Sequence, residues 1–214
     1  MLHANAAGAQ TITDERVWAS ISLQGRAGTT SAWKWAADSF LRSRDGAGTL
    51  DAIGLRGMLG RDLGGGSTLW AGYALGPSFP ASGGTTIEHR VFQQYLWNGT
   101  GAGGAIAVRV RVEQRFIEAN SGVAVRLRQQ IRYSRPLAAG SRFAFVASDE
   151  IMFHANETTR YDRGLDQNRV FVGLSRALNG GVRVEAGYLN QFSHSRTGPD
   201  RVNHVLSVGA SVAF

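Results

Sequence analysis

Arginine recurs at alternate positions in several stretches of this chain, and that spacing is its clearest chemical feature. Residues 105–116 read AIAVRVRVEQRF and residues 123–134 read VAVRLRQQIRYS. The first stretch carries Arg109, Arg111 and Arg115 with Glu113; the second carries Arg126, Arg128 and Arg132. A guanidinium stays charged and presents a planar fork of donors, which suits two-point binding of a carboxylate or phosphate. Stretches of the same pattern add Arg90, Arg169 and Arg183, with Glu88, Glu150 and Glu185. If these rows share one enclosed face, nine cations meet four anions there. Each Glu is then expected to take one or two Arg, because unpaired charge in a narrow space is costly. The surplus must meet water, counter-ions or an anionic solute.

The elements that position these residues follow from the period. Ile106, Val108, Val110, Val112 and Phe116 alternate with the first Arg row, and Val123, Val125, Leu127, Ile131 and Tyr133 with the second. Successive strand residues point to opposite faces, whereas a helix would scatter the same Arg around its circumference. The pattern returns at 169–177, at 182–192 and in the last stretch to Phe214. Further candidate strands lie at 16–25, 32–43, 49–60, 67–76, 86–98 and 141–153. That gives eleven candidates and no convincing amphipathic helix. All four Pro fall in the connections, where a missing N–H costs no ladder bond.

Composition narrows the class. The 214 residues suit one domain, placed at 11–214. With 43 % apolar residues the chain is not disordered. The absence of Cys excludes a disulfide framework and a thiolate zinc site. Net charge is +7, yet Lys34 is the sole Lys and no basic run occurs, so no nucleic-acid partner is expected. Residues 1–10 are rich in small residues, with Ala4-x-Ala6 and Ala7-x-Ala9 fitting a signal-peptidase site. They read as a residual cleavage region or a disordered tail.

Period-two alternation describes soluble sheets and membrane barrels alike, so polarity must decide. Arg rows interleaved with Gly, Ser, Gln and Glu read as a lumen, and the aliphatic face as the outer wall. Candidates of about ten residues match the length needed to cross a bilayer. Connections alternate between short (99–104, 135–140, 178–181) and longer (77–85, 154–167, 193–201). Trp18, Trp33, Trp35, Trp70 and Trp97 sit near strand ends, where they serve either an interfacial girdle or ordinary packing. The expected fold is therefore an all-β, closed, antiparallel up-and-down transmembrane barrel. Because such barrels normally have an even strand count, twelve strands are expected, with ten as the alternative. A twelfth strand would precede residue 16.

Two resemblances bear on this reading. Alternating apolar residues ending in Phe214 resemble the assembly signal of bacterial outer-membrane barrels, which implies the assembly machinery as a partner. The ordered stretches EHRVFQQ (88–94), RVEQRF (111–116), QNRVFVGL (167–174), GYLNQ (187–191) and NHVL (203–206) resemble a bacterial family, domain of unknown function 2490. The resemblance covers about residues 17–214 and implies a barrel in the bacterial outer membrane, among its lipids and lipopolysaccharide. It implies no activity, so no catalytic residue is carried over.

Three functions remain open. The lumen is a narrow passage for small anions; its size and Arg ladders are similar to those of twelve-stranded porins for acidic oligosaccharides. Alternatively, an Arg–Glu network closes the lumen of a structural or assembly barrel. A lipid or lipopolysaccharide hydrolase is the third reading. His89, His154, His194 and His204, with Ser148, Ser175 and Ser207, supply its groups, but no spacing ties them to a nucleophile motif. Asp149, Glu150, His154 and Glu157 offer metal-ligand types without supporting spacing. No cofactor and no metal are expected.

Overall fold

The computed structural model describes residues 11–118 and 120–214. Eleven strands form in chain order: β1 (Thr11–Arg26), β2 (Trp33–Arg44), β3 (Thr49–Gly64), β4 (Ser67–Ser78), β5 (Thr86–Gly101) and β6 (Gly104–Ile117) come first. Then follow β7 (Ala124–Pro136), β8 (Phe143–His154), β9 (Gly164–Ala177), β10 (Val182–Ser193) and β11 (Asp200–Ala213). Each of the eleven candidate stretches becomes one of these strands, and β4 and β7 run on to take in Pro77 and Pro136 at their ends, so only Pro80 and Pro199 lie in the expected connections. Among the described residues there is no helix, hence none long and apolar enough to cross a membrane.

Neighbours in sequence pair antiparallel, and β1 pairs with β11 to close the barrel. That closing seam is parallel, running from Thr11↔Asp200 to Gln24↔Ala213. The expectation of twelve or ten strands, all antiparallel, is thus corrected to eleven with one parallel seam. An odd number of alternating strands brings the last back in the direction of the first, so closure must be parallel. The seam pairs both sheet edges, which removes the need for a hidden strand. β1 instead extends back to Thr11. The proposed cleavage region at 1–10 lies outside the described residues.

The connections fall on two rims. Turns 27–32, 65–66, 102–103, 137–142 and 178–181 share one rim with the chain's last residue. Loops 45–48, 79–85, 155–163 and 194–199 share the other with the facing ends of β6 and β7, termed here the loop rim. Gly65 (φ 59°) and Gly66 (φ 81°) both hold positive φ in a two-residue hairpin turn. That turn has the twist a tight hairpin needs, and Gly adopts it without Cβ strain.

Polarity is inverted relative to a soluble sheet. Leu59 is 64 % and Leu206 56 % exposed on the outer wall, whereas Arg111 is 2 % and Glu113 1 % exposed inside. Inward aromatics lie flat over inward glycines on neighbouring strands. A Cβ at Gly54 would sit 2.1 Å from the Phe40 ring, one at Gly60 2.5 Å from Trp70, and one at Gly72 2.4 Å from Phe92. Glycine is therefore what lets rings fill the lumen at close packing.

The tryptophans divide accordingly. Trp18 and Trp70 are buried in the lumen. Trp33 is exposed on the outside near the C-terminal rim, and Trp35 there stacks on Phe214 with centroids 5.9 Å apart. Tyr95 bonds Ser67, and the Tyr133 hydroxyl donates to the Ala102 carbonyl, at the same rim.

Candidate functional site

Alternation on β5 to β9 sends a run of charged side chains into one half of the lumen. Glu113 on β6 is the centre. Its carboxylate takes Arg126 at 2.7 Å, Arg128 at 2.8 Å and Arg111 at 3.5 Å. Arg128 continues to Glu150 on β8 at 2.8 Å. Glu150 also receives Arg109 at 2.6 Å and lies 3.8 Å from Arg169. Arg111 further donates through Nε to Gln94 at 2.9 Å, with its Cζ 4.4 Å above the Phe92 ring. Such charge-assisted bonds, shielded from water, are much stronger than surface pairs, and losing one partner strands the rest.

Nearer the loop rim, Glu88 takes Arg90 at 2.6 Å and also Arg115. Arg115 in turn donates to the Tyr161 hydroxyl at 3.1 Å. Toward the C-terminal rim, Arg132 and Glu185 pair by themselves. Arg183 has no carboxylate within 4.0 Å among the described residues and reaches only the Ser175 hydroxyl, at 3.4 Å. The thirteen charged residues singled out in sequence therefore separate. Seven form the central network, three the Glu88 group, two an isolated pair, and Arg183 stands apart.

Several participants carry no period-two signal. Asp166 accepts from Arg126 at 3.0 Å and is the extra residue of a β-bulge, skipped where Met152↔Gln167 gives way to Phe153↔Leu165. Asp51 is the extra residue of a second bulge on β3 and binds Arg16 at 3.0 Å. Arg56 and Asp38 pair at 2.7 Å between β3 and β2. Arg42 has no carboxylate within 4.0 Å among the described residues. Its guanidinium instead lies 4.2 Å from the Trp18 ring centroid and 4.3 Å from that of Phe40. Aromatic faces attract cations in this way.

Among the described residues the histidines do not assemble a nucleophile. On the outer wall His89 bonds the Tyr73 hydroxyl, and His204 bonds that of Tyr188 at 2.6 Å. His194 pairs with Asp200 at 3.0 Å on a loop. His154 is buried against Tyr161, ring centroids 4.2 Å apart. Among the described residues no Ser hydroxyl bonds a His. Alternation also separates Asp149, which faces outward to Asn168, from Glu150, which faces the lumen. They cannot join one metal site.

Comparison with known proteins agrees with the ordered motifs. An uncharacterised protein of Methylorubrum extorquens is 30 % identical over 211 residues, covering 97 % of this chain and 91 % of its own length. No solved structure matches the chain. The family model described as a protein of unknown function (DUF2490) matches residues 15–203. With that match spanning most of the barrel, from β1 into β11, the chain belongs to the DUF2490 family.

Proposed function

We propose that this protein is an integral barrel of the bacterial outer membrane whose lumen is closed by its guanidinium–carboxylate network. It acts as a structural or assembly element, and its loops do the binding. The observation that carries this reading is the burial of Arg111 and Glu113 inside the lumen, 2 % and 1 % exposed. A passage for small anions needs hydrated guanidiniums along its whole length. Here Arg111 and Arg128 are consumed by Glu113, Glu150 and Gln94.

The membrane setting is supported by the exposed Leu, Val and Ile of the outer wall and by Trp33, Trp35, Tyr95 and Phe214 gathered at one rim. Rings with one wet and one apolar end favour such a boundary. Phe214 donates its backbone N–H to Gln24 at 2.9 Å while its ring stays exposed, which leaves the ring available to assembly machinery. A lipid hydrolase needs an activated nucleophile, and among the described residues no Ser–His bond supports one.

Planar-bilayer recording of the purified protein tests the closed lumen. The expected result is a silent bilayer alongside a heat-modifiable band on gels. Stable anion-selective steps would instead support the passage.

A further inference from the structure

A cavity of about 510 Å³ opens at the loop rim between loops 155–163 and 194–199. Its lining includes His154, Arg160, Tyr161, Asp166, His194 and Arg196. His154 is buried, and neither ring nitrogen has a hydrogen-bond partner; Nε2 lies 3.5 Å from Asp166.

Charge accounting defines the ligand. Asp166 is held by Arg126 at 3.0 Å, and Asp162 by Arg196 at 3.2 Å. His194 is held by Asp200. The lining acids are thus matched internally. Arg160 is different: among the described residues its guanidinium has no carboxylate within 4.0 Å, and its Cζ lies 6.0 Å from the Tyr161 ring centroid. Behind Tyr161, Arg115 also keeps a buried Nη1 without an acceptor. The spare donor open to the cavity is the Arg160 guanidinium, with the Thr197 hydroxyl in the same wall; that of Thr159 already donates to Asn120 at 2.8 Å. The volume exceeds that of a bare oxyanion and admits a small polar group attached to one.

We propose that this cavity binds a phosphate monoester, with Arg160 as its oxyanion donor and the His154 ring as part of the wall beside it. The inference rests on the cavity itself and stands whether the lumen below is open or closed. Phosphate oxygens suit a guanidinium fork, and the hydroxyl-bearing wall suits the polar remainder of the ester.

The test follows the His154 ring by NMR in the full-length, detergent-solubilised protein, assigned with His154→Gln. Glycerol 3-phosphate is titrated, with glycerol as the phosphate-free probe. The ester is expected to shift the His154 signals saturably and glycerol to leave them in place. Arg160→Gln, on an exposed loop, weakens the response about tenfold, the scale of one charge-assisted hydrogen bond. Arg163→Gln removes the same charge outside the lining and keeps the response. A second arm places the protein in phosphatidylcholine bilayers with and without phosphatidic acid. A shift that requires the acidic lipid assigns the phosphate to a headgroup, and one produced by the free ester assigns it to a solute. His154 signals that move with neither probe, or an Arg160→Gln protein that responds like the parent, overturn the proposal.

Discussion

Glu113 and Arg128 are joined across a diagonal of the β6–β7 ladder, Oε1 to Nη1 at 2.8 Å, although Glu113 stands in register with Arg126. One carboxylate therefore serves both Arg126 and Arg128 and ties them to Arg111 on its own strand. Replacing Glu113 by Gln keeps the volume and leaves three buried cations short of an anion. We expect a loss of about 3–5 kcal/mol, the range for breaking a buried pair. The readout is the temperature at which the folded gel band converts to the unfolded one. Adding Arg128→Gln should recover part of the loss, and a single variant as stable as the parent would show the network to be energetically idle.

Ring-over-glycine packing makes a separate prediction. The Cβ of Gly54→Ala would overlap the Phe40 ring, so overpacking should cost about 1–3 kcal/mol. Phe40→Leu shortens that ring. In the double variant the cost of Gly54→Ala should shrink, giving non-additive energies in a denaturant series. Strict additivity would mean the two side chains do not share the space.

The parallel seam can be tested by cross-linking. Ser22 on β1 and Ser211 on β11 are register partners. Cysteines at these two positions should form a disulfide under mild oxidation, because paired strands lie about 4.8 Å apart. Ser22→Cys with Ser207→Cys moves the partner four residues along β11, about 13 Å, and should not link. The reverse outcome would break the eleven-strand closure.

Strand positions were legible because alternation is local: each element announces its period within a dozen residues. Closure was not, since the β1–β11 pairing joins the two ends of the chain and leaves no local trace. The strand count therefore rested on an even-number rule that this barrel does not obey. The charged network was half legible. Glu113 and Glu150 sit in regular strands and follow the Arg rows. Asp166 and Asp51 escape because a bulge inserts one residue and breaks the period at that point. In β2 the signal is weaker, because WKWAADSFLRSR places aromatics on both faces and no aliphatic row fixes the phase. Arg42, Asp38 and the lumenal side of Trp18 emerge only once the neighbouring strands are in place. Tyr161 belongs to a loop, so no periodicity could assign it to the mouth.

The central claim is one of orientation: aliphatic rows outward, guanidinium rows enclosed. A nitroxide scan along β11 of the protein in lipid bilayers tests it most directly. Labels replacing Leu206 and Val208, both exposed on the outer wall, should relax strongly with oxygen dissolved among the acyl chains. Labels at Ser207 and Ser211, on the opposite face, should be shielded from it. Equal oxygen contact at all four positions, or the alternation in reverse phase, would contradict the account.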